Sequence, residues 1–450
     1  MNGTQLRIAD TVAAQEIAGP LVGARAPRAT WRLVALGVLL AAVTVEHFTV
    51  SVGGFTVKPE HLVVPGLLGL AAWRGDRAIA RQALRPLAWI GLFLAVTLLA
   101  SAWNAPDRLV SLRHTAMIAV VAAAAGLVYW LVDTPARLQA AVRLLIGLSV
   151  FEAGLTFAGL VAAGYAVPLG TQPGRGGIPV PYGTLWEPNV LGSYLAAGGL
   201  LALATLLGAR ERRYMVGGAG GLGLILAALG LSLARAAWVG FGAGLIVLVL
   251  GNWCLRDRGA PLAIGRTRNT AWAVLAGLGA LAFLGGGAPV LFPATSHGLG
   301  TRVNLSAYDP QTDPSVQARV DTIRGALPGL VAHPLIGNGA GSYAAGHADD
   351  KGGAGWLGNL ELHLLYDSGV LGLGAVLAGL ALALGGAWRT LRRPWPGQPD
   401  ARAALLGLLA AVVTLLVAYQ ATEGTWLAFT WVYIGLLVRA GHFAPRAIAR

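Results

Sequence analysis

The dominant constraint on this chain is a repeated pattern: long runs of Leu, Ala, Val and Gly, separated by short arginine-rich stretches. A helix needs about 20 apolar residues to cross a bilayer. Only helices and closed barrels can cross, because an unpaired backbone N–H or C=O finds no water in hydrocarbon. Twelve such runs are readable: 32–50, 60–73, 87–103, 112–132, 138–163, 188–208, 215–233, 236–253, 270–292, 359–388, 403–421 and 424–440. A membrane barrel would alternate in polarity along strands of about ten residues, and these runs are uniform. They predict an all-α, polytopic membrane protein of about twelve spans. Composition agrees: 12% of residues are charged, against roughly 25% in a soluble domain. That is too little charge to coat a water-facing surface.

The net charge of +13 would suggest nucleic acid in a soluble protein. Here the cations sit in the connectors, where topology accounts for them, so no nucleic-acid partner is expected. If the N-terminus is cytoplasmic, the inner connectors are 74–85, 133–143, 209–214, 254–269 and 389–402, and each is basic. With both tails they hold about 24 of the 33 basic residues, which predicts an even number of spans and both ends inside. Residues 1–30 read as a cytoplasmic tail without a cleavable signal peptide, and 441–450 as a second tail. The single Cys254 excludes an internal disulfide framework.

Nine basic residues fall on the predicted outer side, among them Arg235, Arg302, Arg319 and Arg324, as do seven of the eight histidines. Between helices 1–9 (31–292) and 10–12 (359–440) lies an outer connector, 293–358, far longer than usual. Arg235 sits between two apolar runs with no room for a loop, so its guanidinium either snorkels to the outer headgroups or clamps an anionic ligand. Arg302, Arg319 and Arg324 lie in the long connector. The last two are five apart in a predicted helix and do not share a face well, and Asp313 and Asp321 are available to pair with them. His333 precedes Pro334, which predicts a helix end. The run around Asn338, with Gly337, Gly339 and Gly341, allows a tight turn whose N–H groups suit an anion. Asn359, His363 and Asp367 are spaced i, i+4, i+8 on one helical face, where a carboxylate can orient the imidazole as a general base. Glu187 and Asn189 flank Pro188 at the predicted mouth of the sixth span. The outer segments carry no metal-ligand spacing and no nucleotide-binding glycine motif, so neither a metal nor a cofactor is expected.

Four segments, in order, resemble the O-antigen ligase and O-antigen polymerase family of bacterial envelope proteins. They are EPNVLGSYL (187–195), SLARAAW (232–238), ARVDTIRGALPGLVAHPLIGNGAGSY (318–343) and NLELHLLYDSGVLGL (359–373). The resemblance implies a multi-pass, metal-independent, inverting glycosyltransferase of the bacterial inner membrane. Its donor would be a polyprenyl-pyrophosphate-linked glycan, and its acceptor a glycan, lipid or protein on the outer side. It also implies that Arg235 and Arg319 match the family's arginines. The family pattern has His-Asn, then nine residues, then a Gly; Asn359 and Gly369 match, but Gly358 stands where the His belongs. His363, one turn later, is the candidate to act in its place. The resemblance thus nominates His363, Arg235 and Arg319 as catalytic. Arg302, Arg324, Glu187, Asn189, His333, Asn338, Asn359 and Asp367 are candidates for substrate contact. Two rival readings remain open: a transporter or flippase of lipid-linked oligosaccharide or small solute, and an inactive relative.

Overall fold

The computed structural model describes residues 27–443, apart from 53–54, 75–76, 165, 168, 175–176, 186, 210–211, 260–261, 263–266, 304–313, 348–356, 394 and 396–398. The N-terminal tail up to residue 26, the C-terminal tail from residue 444 and Asp313 lie outside the described residues, as does the side chain of Arg302.

Each of the twelve apolar runs contains a helix. In chain order these are α1 (Pro27–Ala42), α2 (Pro59–Arg74), α3 (Arg77–Trp103), α4 (Arg108–Leu131), α5 (Pro135–Ala163), α6 (Pro188–Gly208), α7 (Arg212–Leu231) and α8 (Arg235–Cys254). Next comes α9 (Thr267–Ala282), which runs on through a π-turn to Leu291. The connector 293–358 then supplies α10 (Pro293–Val303), α11 (Pro314–Ala332) and α12 (Ser342–His347). The chain finishes with α13 (Leu360–Leu391), α14 (Pro399–Ala418) and α15 (Ala428–Gly441). Among the described residues, eight helices are long and apolar enough to cross a membrane, and three more apolar helices are shorter.

Local chemistry sets the helix ends. Asp107 and Thr134 accept hydrogen bonds from backbone N–H groups of the first turns of α4 and α5, and proline opens α5 and α6 where a missing N–H costs nothing. The first apolar run is helical only to Ala42. Its remainder, rich in β-branched residues, leads into a hairpin that pairs Val50–Val52 with Phe55–Val57.

The core of the bundle is α6 and α14, most of whose residues are buried. α14 packs on α6 and α8, α13 on α3, and α15 on α4. Small residues permit the close approaches: a Cβ at Gly240 or Gly244 of α8 would collide with Thr414 of α14, and one at Gly192 of α6 with Ala234. Without a hydrophobic drive between helices in lipid, such contacts are what hold them together.

The connectors separate onto two ends of the bundle, as alternating spans require. At one end His47 N donates to Thr184 O, Asn104 Nδ2 to Gly337 O, and Leu360 N to Tyr419 O. At the other, Arg32 pairs with Asp133, Arg439 Nε donates to Val132 O, and Arg402 Nη2 to Leu391 O. The start of α1 and the end of α15 thus share an end.

Two expectations change. The described part of 293–358 is mostly helical and not an open loop. And α13 is not continuous: Gly369 has φ 62° and ψ −169°, which breaks the helix after Ser368. The segment 334–341 fills the break. Asn338 N donates to Tyr366 O (2.8 Å), Gly339 N to Asp367 O (3.0 Å), Val370 N to Pro334 O (2.9 Å) and Leu371 N to Leu335 O (3.1 Å). Backbone groups freed by a break at membrane depth need new partners, and this strap provides them.

Candidate active site

The strap, the first turns of α13 and the α14–α15 turn meet at one point. Asn359 caps α13, accepting from Leu362 N, while its amide reaches Gln420 in the turn. One turn on, His363 Nε2 lies 2.8 Å from Asp367 Oδ2, the i, i+4 contact expected from helical spacing. The opposite ring nitrogen, Nδ1, lies 3.0 Å from Glu423 Oε2. That approach is at ion-pair distance but lacks hydrogen-bond alignment. All three side chains are largely buried. The imidazole therefore stands between two acceptors, and only a ring carrying both N–H groups can donate to both.

Backbone donors hold the carboxylates. Glu423 Oε1 accepts from Leu357 N (2.9 Å) and Gly358 N (3.4 Å), and Asp367 Oδ2 accepts from Gly341 N (3.3 Å). Asp367 Oδ1 is buried with no hydrogen-bond partner. Gly358 has φ 61°, a conformation that L side chains rarely adopt. At the position where the family pattern has histidine, this chain presents a backbone N–H to Glu423.

These residues border a cavity of about 250 Å³, lined by His114, His363, Asp367, Glu423, Thr425 and Trp426 among others. A smaller pocket behind Glu423 and Trp426 is reached by Lys58, Glu187 and Thr422. Glu187 stands at the N-cap position of α6 but does not cap it. Its Oε1 accepts from Thr422 Oγ1 at 2.9 Å. Burial pushes the Glu187 carboxyl above its usual range; hydrogen bonds from Thr422 and Asn189 and the charge of Arg319 oppose the shift. Lys58 Nζ is 3.0 Å from Glu46 and 3.9 Å from Glu60, and 5.7 Å from the Trp426 ring centroid.

The nominated residues fare differently. His363, Asp367, Glu187 and Asn189 come together here. Arg319 joins them, its Nη2 donating to Ala421 O at 3.2 Å. Arg235 begins α8, half-buried, and lines neither cavity described above. Arg324 is exposed and pairs with Asp321 at 3.7 Å, so it stays a solvated surface pair. His333 ends α11 through its backbone. Asn338 is a correction: its amide is spent on Gly329 O and Tyr366 O, so it stitches the strap in place. The glycine turn is another correction. The N–H groups of residues 337 to 342 all have partners within the protein and offer no anion nest.

Sequence reasoning missed Glu423, although it is the only acidic residue after Asp400. Glu46 was missed too, while Lys58 was counted among the nine outer basic residues without a partner being named; an ionisable group at a span end is a signal in itself. At these cavities His363 and Lys58 each stand beside carboxylates. Among the described residues, no group of three or more His, Cys, Asp and Glu side chains is arranged to hold a metal ion.

Residues 220–377 match the family model described as O-antigen ligase. This stretch is similar to the O-antigen ligase family over about a third of the chain. It takes in α8 with Arg235, the whole 293–358 connector, and α13 through His363 and Asp367. Glu187 and Glu423 lie beyond the match. The family assignment carries glycan ligation or polymerisation as the general activity of the domain. No curated protein matches the chain.

Proposed function

We propose that this protein transfers or polymerises a glycan from a polyprenyl-pyrophosphate carrier onto an acceptor hydroxyl, with inversion and without a metal. The end of the bundle that bears the cavities faces the extracytoplasmic side of the bacterial inner membrane, and both termini are cytoplasmic. The observation that carries this reading is His363 held between Asp367 and Glu423 at the wall of a cavity, inside a stretch of O-antigen ligase sequence.

Outside the membrane no nucleotide is at hand, so the leaving group must be the carrier's own pyrophosphate. The acceptor oxygen attacks the anomeric carbon from the face opposite the pyrophosphate. The new C–O bond forms as the old one breaks, and the pyrophosphate departs with the electron pair. Attack from that side inverts the configuration. Arg319, beside Glu187, and Arg235, which the family resemblance nominates although it lines neither cavity, balance the growing charge on the pyrophosphate, the kind of stabilisation that acts most strongly in a water-poor site. The proton of the hydroxyl passes to the Asp367–His363–Glu423 group, whose unfilled acceptor is Asp367 Oδ1. Trp426 supplies an aromatic face for a sugar ring, and the carboxylates supply acceptors for its hydroxyls.

The test is reconstitution with a polyprenyl-pyrophosphate glycan in the presence of EDTA, comparing the wild type with Arg235→Ala and His363→Ala. New glycosidic bonds from the wild type, lost in the variants, are the expected result. Carrier movement across vesicles with no new bond would overturn this reading in favour of a flippase.

A further inference from the structure

The far end of the bundle carries a second basic feature that glycan transfer does not use. Between the start of α3 and the ends of α13 and α15 opens a cavity of about 510 Å³. Arg85, Arg389 and Arg393 stand around it, with Thr390 and His442, and among the described residues none that lines it is acidic. Its remaining wall is apolar or glycine, including Leu382 and Val438.

Several other arginines at this end of the bundle are occupied. Arg32 and Arg137 share Asp133. Arg402 donates to the carbonyls of Leu391, Arg258 and Gly259, and Arg439 to that of Val132. By contrast, among the described residues none of Arg85, Arg389 and Arg393 is within ion-pair distance of a carboxylate. The one hydrogen bond among them is Arg389 Nε to Gly385 O at 3.2 Å. Two helix C-termini face the cavity, each worth about half a negative charge. Three guanidinium groups outweigh them, so the cavity stays positive. Guanidinium forks bind phosphate oxygens in pairs.

The apolar part has a matching shape. Leu382 is 65% exposed and Leu371 is 52% exposed. They lie eleven residues apart on the unbroken part of α13, about three turns and hence on one face. A cationic mouth thus continues into an exposed apolar stripe, on a helix long and apolar enough to cross a membrane.

We propose that this cavity is a binding site for an anionic phospholipid, its phosphate held by Arg85, Arg389 and Arg393 and an acyl chain lying along Leu382 and Leu371. The site is independent of the glycan chemistry, since the unbroken part of α13 between Val370 and Arg389 alone spans about 30 Å at 1.5 Å per residue. Full-length protein in detergent is mixed with equal amounts of phosphatidylglycerol and phosphatidylcholine, and retained lipid is counted by native mass spectrometry. Selective retention of phosphatidylglycerol is expected, with about a fivefold loss of affinity for each arginine changed to glutamine. Arg85→Lys, Arg389→Lys and Arg393→Lys together should keep most of the selectivity. A photoreactive phosphatidylglycerol should label residues 380–393 in the wild type, a readout that needs no variant to fold. Equal retention of the two lipids, or labelling elsewhere, would overturn the proposal. So would displacement of the lipid by inorganic phosphate at matched concentration, which would make this a free-phosphate site.

Discussion

The two ends of the bundle use charge in opposite ways. Around His363, every cation at the cavities is matched with carboxylates: His363 with Asp367 and Glu423, and Lys58 with Glu46 and Glu60. At the far end Asp133 serves two arginines, and Arg402 and Arg439 bind backbone carbonyls. An arginine tied to carbonyls ends helices and fixes connectors. A histidine between carboxylates is ready to move a proton. The same bundle therefore separates anchoring from chemistry by about a membrane's thickness.

The sharpest test of that contrast is His363→Ala. Removing a proton-transfer group typically costs a factor of about 10² to 10⁴ in rate. Glycan transfer by reconstituted protein should fall by at least the lower figure, while Arg402→Ala should act on thermal stability first. Equal loss of activity from both would erase the distinction.

Next in size is Gly369→Ala. Its positive φ and the nearness of the Leu335 carbonyl leave no place for a Cβ. A strained backbone position of this kind costs about 1–3 kcal/mol, and a lowered unfolding midpoint in detergent would register it. An unchanged midpoint would mean that the strap does not need the break.

Glu187→Gln tests the acidic end through pH. Burial raises the Glu187 carboxyl, so folding takes up a proton there. That contribution is fully present below the ordinary carboxylate range and is lost as pH rises through the raised value. The glutamine variant has nothing to lose, so its stability relative to the wild type should climb from acidic to neutral pH. A flat difference across that window would contradict the assigned burial.

The smallest effect belongs to Arg324→Ala. Its exposed pair with Asp321 should be worth no more than about 0.5 kcal/mol, with activity unchanged. A large loss of glycan transfer would return Arg324 to the site.

Much of this architecture was legible beforehand. The apolar runs could only be helices in lipid, the proline at 188 marked a real start, and His363 with Asp367 met because four residues make about one turn. What escaped was tertiary. Glu423 reaches His363 from sixty residues away, and no periodicity links them. Gly369 matched the family pattern, but nothing in its spacing marked it as the point where the helix breaks, although Ser368-Gly369 is the kind of pair at which helices kink. The glycine turn at 337–341 was taken as open to a ligand because its partners, the carbonyls and the carboxylate of a broken helix, could not be foreseen. Gly358 was the opposite case: its departure from the family pattern was visible, and its φ of 61° supplies a physical reason.

The stitching between residues 334–341 and the break in α13 also constrains motion. Asp367 offers its main-chain oxygen to Gly339 and its side chain to Gly341. A ligand that tugs on this strap cannot leave the carboxylate behind. In the proposed reaction, substrate arrival and the aim of Asp367 are thereby mechanically geared, like two wheels on one axle.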